Sequence, residues 1–153
     1  MNKPDYQILI KVNATAEQAA AGISNVAAWW GTHIEGTSEK AGDRFTIRFG
    51  ETLVDFLVAQ VIPTQKIIWQ VTGSHLHWLQ DPQEWLHHRL VWEIAENNKN
   101  TTINFTQEGL TSVQECFDNC EKGWNFYIGE SLKLLLDTGT GKPDSRKRDP
   151  NIS

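Results

Sequence analysis

Cys116 and Cys120 stand four residues apart, a spacing that puts both side chains on one face of a helix. Two thiols so placed could hold a metal ion or cycle through a disulfide. On one helix face, however, the Cβ vectors run parallel rather than toward each other, which disfavours an unstrained bond. A zinc site needs two further ligands, and no second closely spaced Cys or His pair supplies them. Two buried thiols facing a sheet are the plainer reading. His75 and His77 would share one side of an extended segment, a chelating arrangement, although between strands they read as solvent-exposed polar residues. His87 and His88 would face opposite ways, so at most one points inward. No histidine accompanies a Ser or Cys nucleophile in an elbow motif.

Two carboxylates stand out by position. Asp55 interrupts an apolar strand between Leu53 and Leu57, and Glu108 follows Gln107 just before the last helix. Facing a cavity, either would have its pKa raised by desolvation and would serve as a polar anchor or general base. Each has a structural alternative. Val54, Phe56 and Val58 make an equally good apolar face that would turn Asp55 outward. Glu108 could hold the helix N-terminus, where negative charge is favoured. Gly139-Thr140-Gly141-Lys142 has the look of a phosphate loop but follows a helix, and Pro143 replaces the required hydroxyl residue. No catalytic set and no cofactor are expected.

Aromatic residues are the larger signal. The chain of 153 residues holds seven tryptophans. Trp69, Trp92 and Trp124 fall on inward positions by period and serve as core. Trp29, Trp30, Trp78 and Trp85 lie in helix ends and loops, where burial is not forced, and two segments, around Trp29-Trp30 and around Trp78 and Trp85, are candidates for the mouth of a pocket. The candidate lining is therefore Trp29, Trp30, Asp55, Trp69, Trp78, Trp85, Trp92, Glu108, Cys116, Cys120 and Trp124.

These side chains need elements to position them. Residues 6–12 alternate as a strand, with Tyr6, Ile8, Ile10 and Val12 on one face. Thr15-Ala16-Glu17-Gln18 has the form of a capping box before an alanine-rich helix, and a second short helical turn reaches Trp30. The period then changes to two: strands are predicted over 43–49, 52–62, 66–72, 88–95 and 101–107. An apolar stripe from Val113 to Leu135 predicts one long helix over 111–137. The architecture expected is α+β: a curved antiparallel sheet of about six strands gripping that helix, with two short helices after the first strand. One rod cannot fill a wide concavity, so a cavity is expected between them.

Composition bounds the partners. The formal net charge of −5 disfavours nucleic acid, and no apolar run is long enough to span a membrane. Two cysteines and no apolar leader predict a cytoplasmic protein. Residues 142–153 carry a net +2 against the whole chain's −5, so the remainder carries −7. That end, with Pro143 and Pro150, reads as a flexible polar tail behind a single domain at 1–141.

Several stretches in order carry a resemblance: Trp29-Trp30-Gly31, Ala41-Gly42-Asp43-Arg44-Phe45, Val61-Ile62-Pro63 leading to Ile68-Trp69, Thr106-Gln107-Glu108-Gly109-Leu110, Gly123-Trp124 and Ser131-Leu132. Over residues 6–143 the chain resembles the helix-grip, START-like (SRPBCC, birch-pollen-allergen type) proteins. Within them it is most similar to homologues of the activator of heat-shock protein 90 ATPase. The resemblance implies a cavity for a small hydrophobic or aromatic ligand and no particular reaction. An enzyme acting on an aromatic or polyketide-like compound, or a co-chaperone or stress-response module, are the alternatives. The eukaryotic co-chaperone has a separate N-terminal domain, for which 153 residues leave no room, so a chaperone partner is not expected.

Overall fold

The computed structural model describes residues 4–98 and 100–144. Residues 145–153, the larger part of the predicted tail, lie outside the described residues, as does residue 99. The strands are β1 (Tyr6–Val12), β2 (Ile34–Gly36), β3 (Arg44–Phe49), β4 (Thr52–Ile62), β5 (Lys66–His75), β6 (Arg89–Glu96) and β7 (Thr101–Glu108). Among the described residues they form one seven-stranded antiparallel sheet in the order β1-β7-β6-β5-β4-β3-β2. The strand not anticipated from sequence is β2, three residues whose pairing with β3 is tertiary rather than periodic.

Between β1 and β2 lie α1 (Ala16–Ser24) and a single 3₁₀ turn (Val26–Ala28). The capping box forms as read: Gln18 N donates to Thr15 Oγ1 at 3.1 Å, and Thr15 N donates to Gln18 Oε1 at 2.9 Å. The C-terminal rod is α2 (Phe117–Phe126), a π-helical segment (Tyr127–Leu132) and α3 (Lys133–Thr138). Its start differs from the predicted 111. Residues 111–116 are turns, and the N–H groups of Glu115 and Cys116 donate to the carboxylate of Glu84 at 3.0 Å each. A distant carboxylate thus holds the N-cap residue and the one before it, at a helix start where no side chain caps the first turn.

The concave side of the sheet is packed with rings. Trp29, Trp69, Trp92, Phe56 and Phe105 are all but fully buried. Trp92 meets Trp29 and Trp69 edge-on at centroid distances of 5.6 and 5.3 Å. The indole N–H groups of Trp69 and Trp92 have no hydrogen-bond partner among the described residues. Burying an indole contributes roughly 4–6 kcal/mol, more than the about 1–3 kcal/mol that an unmet donor costs. Most of the space between sheet and rod is therefore solid.

The rod also closes the β1 edge. Lys133 Nζ donates to Lys11 O at 2.6 Å, and Asn13 N donates to Asp137 Oδ1 at 2.7 Å. Beyond α3 the chain turns back: Asp144 N donates to Trp30 O, and Thr32 N donates to Asp144 O, both at 2.9 Å. Residues 142–144, expected as the start of a free tail, are thus tied to the segment carrying Trp30. Gly141 permits the return, since a Cβ there would lie 2.5 Å from Ala28 O.

Candidate functional site

Where the β3–β4 turn, the 76–87 connection and α2 converge, the packing leaves a solvent-open recess of about 210 Å³. Six rings line it: Trp30, Phe49, Trp78, Trp85, Trp124 and Tyr127. Trp30 lies 4.7 Å from Trp124 at a 46° tilt and 5.7 Å from Phe49 at 45°. Phe49 lies 6.2 Å from Tyr127 at 31°, and Trp85 stacks beside Trp124 at 6.0 Å. Val54 and Leu76 are the aliphatic members, and Thr52, Asn119 and Cys120 the polar ones. Gly123, in the middle of α2, completes the wall, and a Cβ added there would meet nothing within 4 Å.

Several wall residues are held from behind. Ser131 Oγ, in the π-helical segment, donates to Trp29 O at 2.6 Å and so fixes the backbone that presents Trp30. Trp85 Nε1 donates to Cys116 Sγ at 3.2 Å. The 76–87 connection is folded on itself, with Leu76 N and Ser74 Oγ both donating to Pro82 O at 2.9 Å. Thr52 Oγ1 and His77 Nδ1 are hydrogen-bonded at 2.9 Å. The hydrogen bond with Cys116 and burial push the Cys120 thiol up, well above its ordinary range, so it meets the recess as a neutral thiol.

A buried polar chain backs the wall. Trp124 Nε1 donates to Gln107 Oε1 at 2.8 Å. The Gln107 amide nitrogen, 2.9 Å from His88 Nδ1, must then donate to it. His88 is therefore the neutral tautomer carrying its proton on Nε2, which faces the Gln114 amide at 3.2 Å. The atom placed there is the amide nitrogen, whereas a neutral Nε2–H needs an acceptor; turning the amide over would supply one in Gln114 Oε1, which otherwise has no partner among the described residues. Burial lowers the His88 pKa to about 4, against the opposing pull of Glu84 and Asp5. The imidazole is neutral near pH 7.

The sequence-predicted residues separate into three groups. Trp30, Trp78, Trp85, Cys120 and Trp124 line the recess. Trp29, Trp69, Trp92 and Cys116 are buried behind or beside it and do not reach it. Asp55 and Glu108 lie elsewhere. Asp55 is on the convex face, where it accepts a short hydrogen bond from Thr46 Oγ1 and lies over Gly73, because Val54, Phe56 and Val58 take the inward positions. Glu108 pairs with Arg89 at 3.4 Å on the same outer side, and the helix-capping role falls to Glu84 instead. Sequence reasoning passed over Gln107 and Gln114, and took His88 no further than one of two adjacent histidines of which at most one points inward. Gln107 carried a signal: it continues the inward row Thr101, Ile103, Phe105 of β7, so its amide had to be buried and partnered. Among the described residues no cluster of three or more His, Cys, Asp or Glu side chains is placed to hold a metal. No helix there is long and apolar enough to cross a membrane.

Known structures share this fold. The solution structure of the Aha1 dimer from Colwellia psychrerythraea superposes with a TM-score of 0.75 at 22% identity, over 90% of this chain and 98% of that one. The crystal structure of DynU16, a putative protein in the dynemicin biosynthetic locus, gives 0.69 at 18% identity, over 92% of this chain and 49% of that one. CalU16 from Micromonospora echinospora gives 0.64 at 9% identity, over 89% and 75%. At these identities the likeness is one of fold, the helix-grip α+β architecture. No curated protein matches the sequence. The family model for Activator of Hsp90 ATPase homolog 1-like protein matches residues 23–137, and the chain belongs to that family.

Proposed function

We propose that the protein is a binding domain whose recess takes a small hydrophobic or aromatic molecule, without carrying out a reaction on it. The observation that carries this reading is Gly123. A glycine in a helix interior costs about 1 kcal/mol relative to alanine, yet here a side chain would meet only open space facing the recess. Room is kept where filling it would stabilise the fold. The volume fits a compact ligand: an apolar cavity of about 150 Å³ accepts benzene, so about 210 Å³ suits one or two rings. Catalysis would call for titratable side chains converging on the ligand. Among the lining residues those are the neutral Cys120 thiol and the Tyr127 phenol, which favours binding over chemistry.

Two free thiols support a reducing compartment, the cytoplasm, as the place of action. Titration with 1-naphthol, read by quenching of the recess tryptophans, tests the proposal. Saturable quenching that competes with a second aromatic probe supports it, and strictly collisional quenching with no saturation ends it.

A further inference from the structure

We infer that the recess selects a cation: an organic ammonium group held among the rings, in preference to a neutral or anionic molecule of the same shape. The inference rests on the recess being a ligand site and names the class of ligand.

A neutral apolar ligand is served by any apolar wall, and aliphatic side chains would provide one. This wall is six rings with two aliphatic residues. Three neighbouring pairs meet at tilts of 31°, 45° and 46° while Trp85 and Trp124 lie near parallel at 16°, so the wall rings do not all lie in one plane. An aromatic face carries the negative part of the ring quadrupole, and it attracts a cation within about 6 Å of its centroid. An ammonium group surrounded by several such faces gains from each of them.

The charges agree. No Lys or Arg is among the lining residues, so nothing in the wall repels a cation or pairs with an anion. The three stretches that meet at the recess, 48–54, 76–87 and 111–127, carry Glu51, Asp81, Glu84, Glu115, Asp118 and Glu121 against Arg48 and Lys122, a net −4. Three of these carboxylates accept backbone N–H groups: Asp81 from Gln83, Glu115 from Gln80, and Glu84 from Glu115 and Cys116. Such bonds fix the carboxylates without cancelling their charge. They supply a negative field over the entrance that draws cations in and weakens with salt.

Choline and 3,3-dimethylbutan-1-ol make the test, since they share a shape and differ by nitrogen against carbon. Binding is measured by tryptophan fluorescence at about pH 8, where ordinary histidines are neutral. Choline is expected to bind at least about tenfold more tightly than the alcohol. Raising salt from about 20 to about 300 mM should weaken choline alone. Trp78→Leu, at the exposed ring on the mouth, should lower choline affinity severalfold and that of the alcohol by less, so the ratio between the two falls. Equal or tighter binding of the alcohol overturns the inference, as does 1-naphthol binding with no response to choline. Both of those results leave an apolar ligand site standing. If choline, the alcohol and 1-naphthol all fail to bind, the ligand-site reading falls with the inference.

Discussion

The indole N–H of Trp124, a wall residue of the recess, donates to Oε1 of Gln107 at 2.8 Å, and that bond orients every proton behind it. With its oxygen taken, Gln107 can only donate to His88 Nδ1, and His88 can only donate onward toward Gln114. The position of the recess wall and the tautomer of a buried histidine are therefore one structural fact.

Trp124→Phe keeps most of the ring and deletes the donor, leaving Gln107 Oε1 buried without a partner. We expect a loss of about 1–3 kcal/mol in unfolding free energy, measured by urea denaturation. Trp124→Ala should cost about 3–5 kcal/mol, since it also opens a cavity. A Phe variant as stable as the parent would show that the chain of bonds does not hold the wall.

Acid should weaken the fold through His88. Its folded pKa, about 4 because of burial, lies below the unfolded value of about 6.5. Between those values the unfolded chain binds the proton and the folded one does not. This contribution is complete above about pH 6.5, declines as pH falls, and is exhausted below about pH 4, for a total on the order of 2–3 kcal/mol. Unfolding curves across that range should show the decline, and His88→Gln should flatten that part of it.

Gly123 separates stability from binding. Gly123→Ala should raise stability by about 1 kcal/mol, because the new methyl enters open space on a helix. Gly123→Leu should keep the fold and fill the recess, abolishing saturable 1-naphthol quenching. Undiminished binding in the Leu variant would place the ligand elsewhere.

Glu84 holds the start of the rod from 32 residues away in the chain. Glu84→Ala should cost about 1–2 kcal/mol, comparable to losing an N-cap. Amide exchange should accelerate at Glu115 and Cys116 while the amides of α3 stay protected. Uniform acceleration along the rod would mean that the cap acts on global stability alone.

What could be read from the sequence was what repeats locally. Alternation gave β4 its limits at Thr52 and Ile62, with Pro63 beyond, and Thr15 with Gln18 gave the start of α1. The rod was legible as a stripe, but not its first residue, because apolar spacing continues through Val113 and Cys116 while the cap comes from Glu84. The wall was legible in part: Trp30, Trp78 and Trp85 stood out as rings in loops. Trp29 stood out equally, but its ring stacks near-parallel on Trp30 at 5.9 Å and packs against Trp92 in the core, a depth that no local spacing reveals. The chain from Trp124 through Gln107 and His88 to Gln114 joins residues 17, 19 and 26 apart, a distance no periodicity spans.

The contact of Lys133 with Lys11 bears on how molecules of this protein meet one another. An edge strand is a template on which another chain can add a strand. On β1 the carbonyl of Lys11 is already engaged by an ammonium group, and just past the strand the amide of Asn13 is engaged by Asp137. At the opposite edge, β2 offers only three residues. A sheet this broad would otherwise invite ribbon-like association; here the rod that fills its hollow also blunts one margin, and brevity protects the other.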